Sequence, residues 1–138
     1  MSLLAEIVFH LVDDNDIDIA VNSKLLQLSQ ISEHVNTYNS AVSFLAEIDA
    51  HPARFQKASN VVLLDIMMPV MTGFDCLDKL TQLPAELRSR FTVYMLSSSI
   101  DRNDIRRAES YDLVQKVLEK PLDIYLLKKS LEGIFEIG

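Results

Sequence analysis

The sequence predicts an α/β protein: a doubly wound, five-stranded parallel sheet with helices on both faces. Three observations predict it. Strand-like and helix-like segments alternate five times along the chain, and such alternation gives parallel strands joined by helical crossovers. Residues 61–64 form a continuous apolar run, which suits a strand buried on both faces rather than one. The chain has 138 residues, 49% apolar and 24% charged. That is a globular balance for one domain, able to bury roughly 70% of its unfolded surface.

Each element follows in order. Residues 7–12 are rich in β-forming side chains and end abruptly at Asp13 and Asp14. Apolar positions 17, 21, 25 and 28 repeat at helical spacing, which predicts an amphipathic helix over residues 17 to about 31. Residues 34–38 are a short strand candidate. Ser40 can cap a helix carrying Val42, Leu45 and Ile48, and a polar loop is expected over 51–60. The strand over 61–64 ends at Asp65. Phe74, Leu77 and Leu80 mark a helix after Gly73, which Leu83-Pro84 ends, because a residue before proline resists helical geometry. Residues 91–96 form the next buried strand, followed by Ser97, Ser98 and Ser99. Asp101 can cap a polar helix to about Ser110. A strand lies within 114–118, before Lys120-Pro121. Ile124, Leu127, Leu131 and Ile134 form the inner stripe of a last helix.

Composition narrows the function. The formal net charge is −7, which disfavours sequence-independent binding to nucleic acid, since that depends on neutralising phosphates. Cys76 is the only cysteine, so an internal disulfide and a multi-cysteine zinc site are excluded and a reducing, cytoplasmic compartment is expected. No segment approaches the roughly 20 apolar residues of a membrane span, and the N-terminus, with Glu6 inside it, reads as a first strand rather than a secretion signal. No output module follows the last helix, so the chain is expected to be one domain over residues 1–138, either complete or excised.

Right-handed crossovers return the chain to one edge of the sheet, so every C-terminal strand end lies along one rim, where ligands of open sheets bind. The first strand delivers Asp13 and Asp14 there, the third Asp65, the fourth Ser97 and the fifth Lys120. Crowded carboxylates all stay ionised only with a cation among them. Hard oxygen ligands in an incomplete shell suit Mg²⁺. A central carboxylate can act as a nucleophile toward phosphorus and form an acyl phosphate, with metal and lysine stabilising the transferring group.

The segments LVDDND (residues 11–16), VVLLDIMMPVMTGFD (61–75), YMLSSS (94–99) and EKPL (119–122) together resemble the receiver domain of a two-component response regulator, over nearly the whole chain. The resemblance implies a flavodoxin-like sheet in the strand order 2-1-3-4-5. It implies Asp65 as phosphoacceptor, Asp13 and Asp14 as the acidic pair for Mg²⁺, and the main-chain carbonyl of Met67 as a further ligand. Ser97 would turn toward the phosphoryl group, Lys120 would pair with it, and Lys120-Pro121 would be cis. The implied partners are a sensor histidine kinase or histidine phosphotransfer protein, and a downstream protein bound through the fourth helix, fifth strand and fifth helix. Homodimerisation on phosphorylation is compatible with this; nucleic acid and membrane are not implied.

Some residues depart from the family pattern. Val117 and Leu118 stand where an aromatic switch residue is common, so an aromatic rotamer readout is not implied. The region 110–116 lacks the usual glycine and is longer by one residue. Met67 sits where the family often has a polar side chain; a bulky apolar group there would hinder attacking water, so slow self-dephosphorylation is expected.

Simpler readings compete for the same residues. Asp13 and Asp14 can serve only to cap the first helix. Asp14, Asp16 and Asp18 imitate the start of a calcium loop, but Ile19 and Leu25 stand where that loop needs Gly and Glu. Ser97, Ser98 and Ser99 can be a polar turn and Lys120 a surface lysine. Met67, Met68 and Met71 read as loop packing, His10, His34 and His51 as structural or exposed, and Cys76 as a small buried hydrophobe. Arg102, Arg106 and Arg107 form a basic face, solvated or turned to a partner. Two whole-protein alternatives remain: a haloacid-dehalogenase-type phosphohydrolase, which Asp14 to Asp18 fit only in part, and an interaction module with this fold that works without phosphorylation.

Overall fold

The structure, a computed structural model, describes residues 6–99 and 101–135. Twelve elements follow one another among the described residues: β1 (Ile7–Val12), α1 (Asp16–Leu28), β2 (Val35–Tyr38), α2 (Ala41–Ala50), α3 (Pro52–Gln56), β3 (Ser59–Asp65), α4 (Gly73–Thr81), α5 (Ala85–Arg88), β4 (Phe91–Ser97), α6 (Arg102–Glu109), β5 (Val114–Glu119) and α7 (Ile124–Glu132). All five strands are parallel, in the order β2-β1-β3-β4-β5.

The continuous apolar character of β3 has the expected cause. Val62 and Leu64 face one core with Phe44, Phe55, Phe74 and Leu77, while Val61 and Leu63 face a second core with Leu26, Tyr94, Leu127 and Leu131. A strand in the middle of a two-sided sheet has no solvent face to carry polar side chains. Helices α1 and α7 therefore cover one face, and α2 to α6 the other. The extra residue between α6 and the last strand is absorbed as a bulge: Val93 pairs with Val114 and Tyr94 with Lys116, which leaves Gln115 unpaired.

Three expectations about the helices need correction. The stripe Ile17, Val21 and Leu28 does not face the sheet; these side chains are exposed, and Asn22 and Leu26 are buried instead. Helix α1 carries apolar residues on two faces, and spacing alone does not tell which one docks. The loop over 51–60 contains α3, which begins at Pro52 in the position a helix tolerates best and is anchored by buried Phe55. Ile134 lies past the end of α7 and is exposed, so the inner stripe of that helix ends at Leu131.

A polar pair, His10 and Asn60, lies deep in the core. His10 is buried on β1, stacked on Phe55 at 5.1 Å, and its Nε2–H donates to Asn60 Oδ1 at 2.9 Å. Asn60 in turn donates to the carbonyls of Phe55 and Arg90. Nδ1 has no partner among the described residues. Burial lowers the His10 pKa to about 4, against a smaller upward effect of the Asn60 hydrogen bond. The ring is neutral at neutral pH and structural, as one of the two readings of the sequence held. Cys76 is fully buried, and burial pushes its thiol up to about 12.

Candidate functional site

The C-terminal ends of β1, β3 and β5 bring four of the expected residues together. One carboxylate oxygen from each of Asp13, Asp14 and Asp65 lies within 4.8 Å of the others. Lys120 reaches in from the end of β5: its Nζ lies 2.9 Å from Asp13 Oδ2 and 3.5 Å from Asp65 Oδ2. Asp13 and Asp65 are buried and Asp14 is exposed, so the cluster is open to solvent on the Asp14 side.

Local chemistry explains why these side chains are free to converge. Asp13 and Asp14 do not cap α1. That task falls to Asn15, whose side-chain oxygen accepts from the amides of Ile17 and Asp18, each at 3.0 Å. Asp13 Oδ1 instead accepts from the Asn15 amide, which fixes its carboxylate at the rim. Behind Asp65, helix α4 begins at Gly73. A Cβ there would fall 2.5 Å from the Asp65 carbonyl oxygen and 2.9 Å from Met95 Cε, so only glycine lets this helix start so near the strand end. Thr72 and Asp75 form a reciprocal cap that holds the turn.

Ser97 and Met67 are placed differently. Ser97 is buried at the end of β4, but its hydroxyl donates to the Ser99 carbonyl at 2.6 Å and accepts from the Ser99 amide. It is thus bonded to its own loop and not to Asp65. The Met67 amide points at Asp65 Oδ1 at 3.4 Å, while its side chain is 73% exposed. Met68 is buried and Met71 half-buried, so the loop-packing reading holds for them and fails for Met67. The Lys120-Pro121 peptide is cis.

One residue of the site entered the sequence reading only in motifs that do not fit, the calcium loop and the dehalogenase-type signature. Asp18, in the first turn of α1, accepts from Lys120 Nζ at 3.0 Å. Its helical position was readable; that it meets a side chain 102 residues away was not.

Comparison with known proteins gives the family and the fold. The family model of the response regulator receiver domain matches residues 9–132. The chain belongs to that family. Among solved structures, a response regulator receiver protein from Dyadobacter fermentans is 34% identical, with a TM-score of 0.81 over 92% of this chain and 96% of the other. A two component response regulator from Cytophaga hutchinsonii is 25% identical, with a TM-score of 0.84 over 94% and 97%. The chemotaxis protein CheY4 of Vibrio cholerae, at 24% identity and a TM-score of 0.75 over 95% and 100%, shares the fold. A search of the curated proteins finds no match.

The donor set of this receiver domain fits a hard divalent cation such as Mg²⁺: carboxylate oxygens only, gathered in a cluster open to solvent on one side. Its electrostatics point the same way. Burial, and then the charge of Asp13, raise the Asp65 pKa to about 6, against the opposing pull of Lys120 and the Met67 amide. For Lys120, burial favours the neutral form, but hydrogen bonds to Asp13 and Asp18 and the charges of Asp65 and Asp13 outweigh it and raise the pKa.

These shifts affect stability with opposite sign. Asp65 binds its proton more tightly folded than unfolded, so its ionisation costs stability above pH 6, and that cost is relieved as pH falls from about 6 toward 3.8. His10 binds its proton less tightly folded than unfolded, so stability is lost as pH falls from 6.5 toward about 4. Asp65→Asn removes the first effect and leaves the second. In metal-free buffer at about pH 7.5, urea unfolding should show Asp65→Asn more stable than wild type by about 1–3 kcal/mol, with the margin shrinking toward zero at about pH 4. A margin of the opposite sign, or one that does not change with pH, contradicts this account.

Proposed function

We propose that this receiver domain is a phosphorylation-controlled switch in which Asp65 accepts a phosphoryl group from a phosphohistidine of a sensor histidine kinase or histidine phosphotransfer protein. The single observation that supports this best is the placement of the Lys120 ammonium against both Asp13 and Asp65 in a cluster of three carboxylates. Asp13 and Asp14, with Asp65 and the Met67 carbonyl, would hold Mg²⁺. Bound there, the ion would supply charge neutralisation for the carboxylates and for the phosphoryl oxygens.

The chain's own residues do the rest. An Asp65 carboxylate oxygen attacks phosphorus, an O–P bond forms, the N–P bond to the donor imidazole breaks, and that imidazole leaves with the bonding pair. Lys120 neutralises charge on the transferred group. Ser97 exchanges its bond to the Ser99 carbonyl for one to a phosphoryl oxygen. This movement biases the surface of α6, β5 and α7, where Arg102, Arg106, Lys116 and Tyr125 are exposed, toward a downstream protein partner or a second copy of the chain. The 138 residues act as one domain in the cytoplasm, as a signalling switch rather than a turnover enzyme.

Exposed Met67 offers attacking water no polar group beside the acceptor, so hydrolysis of the acyl phosphate is slow. With a small phosphodonor and Mg²⁺, intact mass should show one added phosphoryl group on wild type and none on Asp65→Asn; equal labelling of the two contradicts the acceptor assignment. Met67→Asn should speed decay of the phosphorylated form about tenfold, equivalent to about 1.4 kcal/mol of barrier. An unchanged half-life removes Met67 from the account.

A further inference from the structure

We propose that Asp18 is a positioning residue that competes with the incoming phosphoryl group for the ammonium of Lys120. The inference rests on Asp65 as the acceptor. Lys120 makes its two short contacts to carboxylates that are not the acceptor: Asp13 at 2.9 Å and Asp18 at 3.0 Å, against 3.5 Å to Asp65. An ammonium has three protons to donate, and two of them are occupied away from Asp65.

The two partners differ in kind. Asp13 belongs to the converging trio with Asp14 and Asp65, and only 4% of its side chain is exposed. Asp18 stands outside that trio, and its side chain is 37% exposed. A half-exposed ion pair is screened by water and weak, so Asp18 is the partner that Lys120 can release. It is also held in place, because its amide donates to the Asn15 cap in the first turn of α1. The result is a fixed but weak tether. A phosphoryl group on Asp65 replaces the single carboxylate charge with close to two negative charges on oxygens that project further from the chain, and draws the ammonium off Asp18. Asp18 thereby sets how much phosphoryl binding the site must supply before Lys120 engages.

The test is a titration of the full chain with beryllofluoride, a phosphoryl mimic, in the presence of Mg²⁺, followed by calorimetry or amide NMR shifts. Asp18→Asn should bind the anion about fivefold more tightly than wild type, equivalent to about 1 kcal/mol. Asp18→Glu, which keeps the charge, should return toward the wild-type affinity. Asp16→Asn removes a carboxylate from the same helical turn that has no ion pair with Lys120, and should leave the affinity within about twofold of wild type, as expected of an exposed and screened charge. Unchanged or weaker binding by Asp18→Asn overturns the proposal. So does an equal gain in Asp16→Asn, which would make the effect one of net charge. A wild-type chain that binds no beryllofluoride at all overturns the phosphoacceptor function itself, whereas binding that Asp18→Asn leaves unchanged overturns only the role of Asp18.

Discussion

Like charges crowded at the end of a buried sheet are the constraint on which this molecule turns. Asp13 and Asp65 are almost wholly removed from water, with Asp14 beside them. Left alone, such carboxylates repel and take up protons, and Asp65 is displaced in that direction. Lys120 offsets the repulsion only in part, because it divides its charge among three carboxylates. The site therefore favours positive charge, and its three carboxylates could hold a metal ion. The family to which the chain belongs is one in which such a site has a use.

The rest of the fold holds those charges together. Two apolar cores, one on each face, clamp β3 so that Asp65 emerges at a fixed point. Glycine at position 73 lets α4 begin immediately behind that point. The Asn15 cap takes over the amides at the start of α1 and leaves Asp13 and Asp14 for the site. Crowding these carboxylates at buried strand ends costs stability, because buried like charges are unfavourable to the folded state.

Much of this was legible in the sequence, and the exceptions share a physical reason. Regular βα alternation made the parallel sheet legible, and the order of its strands came from the resemblance of the four motifs. The acidic trio and Lys120 were legible because each directly follows a strand, and topology alone brings strand ends together. The docking face of α1 was not, because Ile17, Val21 and Leu28 are as apolar as the residues that are buried, and only the sheet decides between faces. Helix α3 was hidden by its length, too short to show a period. The contact of Asp18 with Lys120 and the turn of the Ser97 hydroxyl toward Ser99 depend on side-chain rotamers, which no spacing rule encodes.

The central claim is that phosphorus is carried by one aspartyl oxygen at position 65. Its most direct test is to phosphorylate the chain with a small donor and Mg²⁺, reduce it with borohydride, and map the peptides by mass spectrometry. An acyl phosphate is reduced to an alcohol, so the account predicts homoserine at position 65 and nowhere else. Homoserine at Asp13 or Asp14, or phosphate that survives reduction on Ser97, contradicts it.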